Sequence, residues 1–183
     1  MKKVLRLRKQ NGFTLIECLV ATAVMTVGIL SLAGVFAQGL NNNYQVQIQY
    51  IAQQKAQEAM ETIFTARDTR LLTSNQINNV GTSSGVFLAN AQPLLAPGPD
   101  GLFGTADDDP NNPDSIVVAP GPDNIFGTAD DVTLNLNPWM TRTILIQPVA
   151  NTPNLKSVSV TINWTYGGKT SQYQLNSFIS NFD

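Results

Sequence analysis

Histidine is absent from the 183 residues, cysteine occurs once, and only 13% of the chain is charged. Without an imidazole there is no Ser-His-Asp or Cys-His nucleophile system, no histidine general base and no ordinary zinc or haem ligation. A lone cysteine, Cys18, cannot close an internal disulfide or build a thiolate cluster. The net charge of −2 gives no overall field for nucleic acid. These absences weigh against a catalyst. The length suits one ordinary domain, or a smaller domain with an appendage.

The charges that are present are unevenly placed. Lys2, Lys3, Arg6, Arg8 and Lys9 stand in the first twelve residues, with no acid among them. Between residues 71 and 141 there is no Lys or Arg, yet eight aspartates fall there. The basic head is followed by an apolar run, residues 13–36, whose single charge is Glu17. At about 1.5 Å per residue such a run crosses a hydrocarbon core of roughly 30 Å as a helix. The positive-inside bias then holds residues 1–12 in the cytoplasm and sends the rest across. A cleaved secretory signal is the alternative, with Val35-Phe36-Ala37 as its small-residue cleavage site. Glu17 argues for the retained helix, because a carboxylate inside an apolar run costs about 2.5–3.5 kcal/mol and a disposable signal has no use for it.

The stretch Lys9-Gln10-Asn11-Gly12-Phe13-Thr14-Leu15-Ile16-Glu17 resembles the class III signal of type IV prepilins and type II secretion pseudopilins. That resemblance implies cleavage between Gly12 and Phe13 by the prepilin peptidase, methylation of the Phe13 amine, and a role for Glu17 in registering subunits in a filament. The physics of Glu17 agrees. With Phe13 as N-terminus it lies one turn into a helix whose end carries partial positive charge, where its carboxylate can pair with a neighbouring subunit's ammonium. A glutamate that merely snorkels to the interface is the bland alternative. Cys18 reads as a small apolar filler, with lipidation of the thiol as the alternative. Many major pilins have a proline in this helix, whereas the first proline here is Pro93. Its absence, with Val27-Gly28-Ile29-Leu30-Ser31-Leu32-Ala33-Gly34, makes the helix similar to that of minor pilins of the pilus modification protein V type.

Downstream, residues 43–66 contain no Pro or Gly, and Tyr44, Ile48, Ile51, Ala52, Lys55, Ala59, Met60 and Ile63 recur at helical spacing. In residues 155–166 the pattern changes to period two, with Val158, Val160, Ile162, Trp164 and Tyr166 on one face. Gly167-Gly168 then predicts a primed two-residue turn that sets Tyr166 against Lys169, Ile162 against Tyr173 and Val160 against Leu175. A third strand over 142–147, with Ile144 and Ile146 inward, completes an antiparallel meander. The expected fold class is α+β, a type IV pilin fold with a long N-terminal helix packed on a C-terminal antiparallel sheet. Its expected divisions are a leader (1–12), a transmembrane or filament-core helix (13–39), an amphipathic helix (40–67), a loop region (68–138) and a β-meander (139–183).

The loop region carries an internal repeat. Ala96-Pro-Gly-Pro-Asp100-Gly-Leu-Phe103-Gly-Thr-Ala-Asp107-Asp108 returns as Ala119-Pro-Gly-Pro-Asp123-Asn-Ile-Phe126-Gly-Thr-Ala-Asp130-Asp131, identical at eleven of thirteen positions with a period of 23. Clustered carboxylates on glycine-rich turns with no basic partner suit a hard oxygen-ligated cation such as calcium. The candidate ligands are Asp100, Asp107, Asp108, Asp109, Asp123, Asp130 and Asp131. The pattern is no EF-hand, since Asn112 stands for the loop glycine and Val118 for the terminal glutamate. Two solvated turns rich in Asp and Gly read equally well.

Together these features describe a structural subunit rather than an enzyme. The expected partners are other pilin or pseudopilin subunits, the prepilin peptidase and the inner-membrane assembly platform, with a single membrane span. Residues 13–183 carry a net charge of −7, which offers no basic stripe for nucleic acid. The expected location is the inner membrane for the precursor, with the head periplasmic, then the pilus or pseudopilus at the cell surface. Two other readings stay open: a type II secretion pseudopilin, and a secreted calcium-binding or adhesive domain behind an ordinary signal peptide. Acidic repeats could also pair carboxylates as a glycosidase does, but no aromatic-lined cleft is legible.

Overall fold

A computed structural model describes residues 12–180 apart from Ser83 and Pro138. The expectations placed on residues 1–11 of the leader lie outside the described residues. Contacts divide the chain into two compact units, Met1–Val46 and Gln47–Asp183. Helix α1, Leu15–Asp68, supplies most of the described part of the first and opens the second.

In the first unit every described residue is exposed. The helix forms there because leucine, alanine, valine and methionine follow one another without proline, and its hydroxyls turn back onto the ladder. Thr22 Oγ1 donates to the Leu19 carbonyl, Thr26 Oγ1 to Thr22 and Ser31 Oγ to Val27, at 2.7–2.9 Å. No side-chain hydroxyl in that set needs water. Tyr44, expected on the buried stripe, belongs to this unit and is exposed. The stripe begins one turn later.

In the second unit the helix buries Ile48, Ala52, Lys55, Ala56, Ala59, Met60, Ile63 and Ala66, a face repeating every three to four residues. Four of these residues are alanines, fully or almost fully buried. Their partner is the inward face of an antiparallel four-stranded sheet of order β1–β4–β5–β6, comprising β1 (Gln92–Pro93), β4 (Met140–Val149), β5 (Thr152–Tyr166) and β6 (Lys169–Ser180). Ile144, Ile146, Val158, Val160, Ile162, Trp164 and Ile179 join the helix in one core. The register is the one read from sequence, with Tyr166 opposite Lys169, Ile162 opposite Tyr173 and Val160 opposite Leu175. Gly167 and Gly168 both have positive φ, 58° and 76°, as a type I′ turn requires. Tyr166 shares the inward side but is exposed, because it lies next to the turn, past the end of the core.

The segment expected to be loop also contains β1 and a separate two-stranded sheet, β2 (Ser115–Ala119) with β3 (Val132–Asn135). Asn79 anchors part of this region. Its buried amide donates to the carbonyls of Ile144 (2.7 Å) and Phe87 (3.2 Å), while its Oδ1 accepts the Ile146 N–H (2.7 Å). The side chain thus stands in for a strand along the edge of β4 that β1 is too short to cover.

Candidate functional site

Two places carry the chemistry singled out in the sequence: the junction at the helix start and the duplicated acidic turns. At the junction Gly12 and Phe13 precede the helix, both exposed, and among the described residues no atom beyond its chain neighbours would meet a Cβ built on Gly12 within 4 Å. Thr14 is the N-cap. Its backbone N–H and its hydroxyl each donate to Glu17 Oε2 at 2.8 Å, and the Glu17 N–H donates back to Thr14 Oγ1 at 3.3 Å. This is a reciprocal capping box, formed because Ser or Thr three residues before Glu can satisfy two of the helix's orphan donors at once. The peptide bond between Gly12 and Phe13 therefore lies in an accessible, non-helical segment held just outside a well-defined helix end. After a cut there, the new ammonium would sit one residue from the cap and one turn from the carboxylate.

Behind the cap, the helix is the one element among the described residues long and apolar enough to cross a membrane, with a mean hydropathy of 2.2 over its best window. So long an exposed apolar surface demands lipid or other helices around it.

The two acidic repeats adopt one local structure. In the first, Asp100 Oδ1 accepts the Leu102 N–H (2.8 Å), Asp108 Oδ2 accepts the Gly104 N–H (2.8 Å), Asp107 Oδ2 accepts the Asp100 N–H (3.3 Å), and the Thr105 hydroxyl donates to Asp107 Oδ1 (2.7 Å). In the second, Asp123, Asp131, Asp130 and Thr128 repeat all four bonds, to Ile125, Gly127, Asp123 and Asp130. Gly101 and its counterpart Asn124 both have positive φ, 71° and 56°, a conformation asparagine tolerates better than most residues. A Cβ on Gly98 or Gly121 would lie 2.5 or 2.3 Å from the carbonyl oxygen of Asp107 or Asp130, so each turn closes only on glycine.

These bonds perturb the acids in a consistent way. The Thr105 and Thr128 hydroxyls hold Asp107 and Asp130 below the ordinary carboxylate range. Burial pushes Asp100 and Asp108 above it, opposed chiefly by the N–H bonds from Leu102 and Gly104. Asp109 accepts from the backbone and side-chain nitrogens of Asn111. Among the described residues no three acidic side chains are grouped as a metal ion would need. The carboxylates of both copies accept amide and hydroxyl donors of their own turns.

The repeats differ in their surroundings. Leu102, Phe103 and Thr105 of the first are buried in the core, whereas Ile125 and Phe126 of the second are 60% and 64% exposed. Phe103 docks beneath Arg142, whose guanidinium carbon lies 4.3 Å from the ring centroid. Arg142 is itself buried and pairs with Asp114 (3.2 Å), which also accepts Lys55 Nζ at 2.8 Å. Lys55 reaches Glu58 at 2.9 Å as well. Desolvation pulls the Arg142 pKa down, and Asp114, Asp108 and Glu58 oppose it. This network joins helix, first repeat and sheet. Sequence reading missed it, although a lysine within the helix's apolar stripe was a sign that a buried carboxylate must come from elsewhere.

No curated protein and no solved structure matches the chain. The match found is to the family model described as the prokaryotic N-terminal methylation motif, over residues 7–33, which spans the Gly12–Phe13 junction and Glu17 and supports a type IV prepilin or pseudopilin precursor.

Proposed function

We propose that this protein is a minor structural subunit of a type IV pilus. It is made as a single-span precursor, cut between Gly12 and Phe13, methylated on Phe13, and drawn into the filament or its tip complex by the helix over 13–39. The observation that carries this reading is the junction itself: an exposed Gly12–Phe13 bond ending at the Thr14–Glu17 capping box, at the head of an unburied apolar helix. A peptidase needs an unwound substrate, and a filament core needs apolar helices whose few charges find partners. Glu17 serves both ends. In the precursor it caps its own helix; after cleavage the ammonium of an adjacent subunit competes for the same carboxylate, and the pairing sets an axial offset.

The motif match and the apolar helix support the wider class. The lack of a proline in 13–39 favours a minor subunit. Sequencing the mature N-terminus by mass spectrometry, with and without a co-expressed prepilin peptidase, tests the reading. Methyl-Phe13 is expected with the peptidase and the intact leader without it. A mature N-terminus at Gln38 would mean an ordinary secreted domain and would end the proposal.

A further inference from the structure

The second repeat is the loop of the β2–β3 hairpin, and that hairpin is poorly covered. Val117, Val118, Ile125, Phe126, Val132 and Leu134 are all exposed on it, while Asp123, Asp130 and Asp131 surround its tip. Ile116 packs the hairpin on the core, whereas the neighbouring Ile125 and Phe126 leave exposed apolar surface at its tip, of the kind that marks a contact site. The first repeat shows what such a tip binds. There the same Phe-Gly-Thr-Ala-Asp-Asp sequence lays its phenylalanine against a guanidinium.

A second cationic place exists on the same unit. A hollow of about 740 Å³ is lined by Arg67, Arg70, Lys156, Leu72, Ile77 and Asn154, among others. Asp68 also lines it and pairs with Arg67 at 2.7 Å. Lys156 Nζ donates to the carbonyls of Ser74 and Ile77, so among the described residues its charge meets dipoles rather than a carboxylate. Cations are scarce after the leader, six in all. Three of the six line this one hollow, and two more are buried with Asp114.

We propose that the second-repeat tip of one copy docks in the Arg67–Arg70–Lys156 hollow of another copy of this chain. Phe126 and Ile125 enter over the half-buried Leu72, and Asp123, Asp130 and Asp131 face the three cations. The match is of apolar tip to apolar floor and of acid rim to basic rim, which fixes orientation and discourages wrong partners. Because the two patches differ, the contact is heterologous: each copy offers a tip and a hollow, and where the rotation it imposes does not close, repeated contacts run on as a helix. The proposal rests on the filament reading for its role: where two copies of this subunit lie side by side in the filament or its tip complex, this is the contact between their heads.

Disulfide trapping in the full chain tests it. In a Cys18→Ala background, a copy carrying Phe126→Cys is co-expressed with a differently tagged copy carrying Asn154→Cys, and isolated membranes are oxidised. Both positions are exposed, so folding is not at issue. A mixed dimer is expected at no less than tenfold the yield of a control pairing Phe126→Cys with Lys169→Cys. Arg70→Glu in the Asn154→Cys copy is expected to cut that yield severalfold, as is 0.5 M salt. A yield no higher than the control, or indifferent to Arg70→Glu, overturns the contact. Mass spectrometry of the same material separates the two proposals: a processed Phe13 terminus without the cross-link leaves the pilin reading standing, and the cross-link on a chain that is never processed does the reverse.

Discussion

Phe103 and Phe126 occupy the same position in two copies of one motif, so truncating each in turn isolates what docking contributes. Phe103 is 8% exposed and Phe126 is 64% exposed. Removing a buried phenylalanine side chain costs about 3–5 kcal/mol from lost transfer energy and the cavity left behind. At Phe103 the lost ring also leaves one face of the Arg142 guanidinium without its π partner, at up to about 2 kcal/mol. Phe126 buries only about a third of its surface, so Phe126→Ala should cost less than about 1 kcal/mol. For a domain between the small and large classes, 1 kcal/mol moves Tm by roughly 3–5 °C. Phe103→Ala is therefore expected to lower Tm by about 10–35 °C and Phe126→Ala by less than about 5 °C. Near-UV circular dichroism of the detergent-solubilised chain reads this directly, because Trp164 is in the core and Trp139 packs against it. Equal shifts for the two variants would refute the asymmetric docking of the repeats.

Asp114→Asn leaves the buried Arg142 and Lys55 without their shared carboxylate and should destabilise by about 3–5 kcal/mol, seen as a lower urea midpoint at unchanged slope. Replacing all three groups together, as Lys55→Met, Asp114→Leu and Arg142→Met, should recover most of that loss; a triple variant no better than the single one contradicts the reasoning. In an NMR titration, Asp107 and Asp130 should ionise below the ordinary range and Asp100 and Asp108 above it, with Thr105→Val raising Asp107 alone of the lowered pair. The sign for stability follows: the first pair contributes above the unfolded value of about 3.9 and loses that contribution as pH falls through the depressed folded pKa, whereas the second pair's contribution is present in acid and fades as pH rises through the elevated one. Exchanging millimolar calcium for EGTA tests the acidic turns: a rise of several degrees in Tm with calcium is the result expected of oxygen-ligated binding there, and a shift of less than about 2 °C is the result expected of two solvated turns held by their own N–H and O–H donors.

The helix and the meander were legible in the sequence because each follows one period over many residues. Val158, Val160 and Ile162 alternate without interruption, and a primed Gly-Gly turn leaves a single register that keeps both inward faces together. The helix stripe was readable for the same reason, failing only at Tyr44, where side-chain spacing says nothing about whether a partner is opposite. The junction was legible because Thr14 and Glu17 are local in sequence. Their reciprocal capping is a separate matter, because the same carboxylate equally suits a partner in a neighbouring subunit and the sequence does not choose between the two. The middle segment was less readable. Its β2–β3 pairing is separated by the repeat itself, and the role of Asn79 depends on an edge of β4, 65 residues away, that no local pattern reveals. Nor could two near-identical repeats disclose that one is interior and the other exposed.

The period of 23 residues sets the chain a folding problem. Two keys cut to almost the same pattern compete for one lock beneath Arg142, and only Gly101 against Asn124 and Leu102 against Ile125 tell them apart. So small a difference in the keys gives little thermodynamic preference, and the choice falls to connectivity. Asp114 lies six residues beyond the end of the first copy and before the start of the second, and it is the residue that must reach both Arg142 and Lys55. Inserting the second copy would strand it on the wrong side of the lock. The ion network thereby ties the stretch between the two copies to helix and sheet, in the arrangement that has the first copy buried and the second exposed.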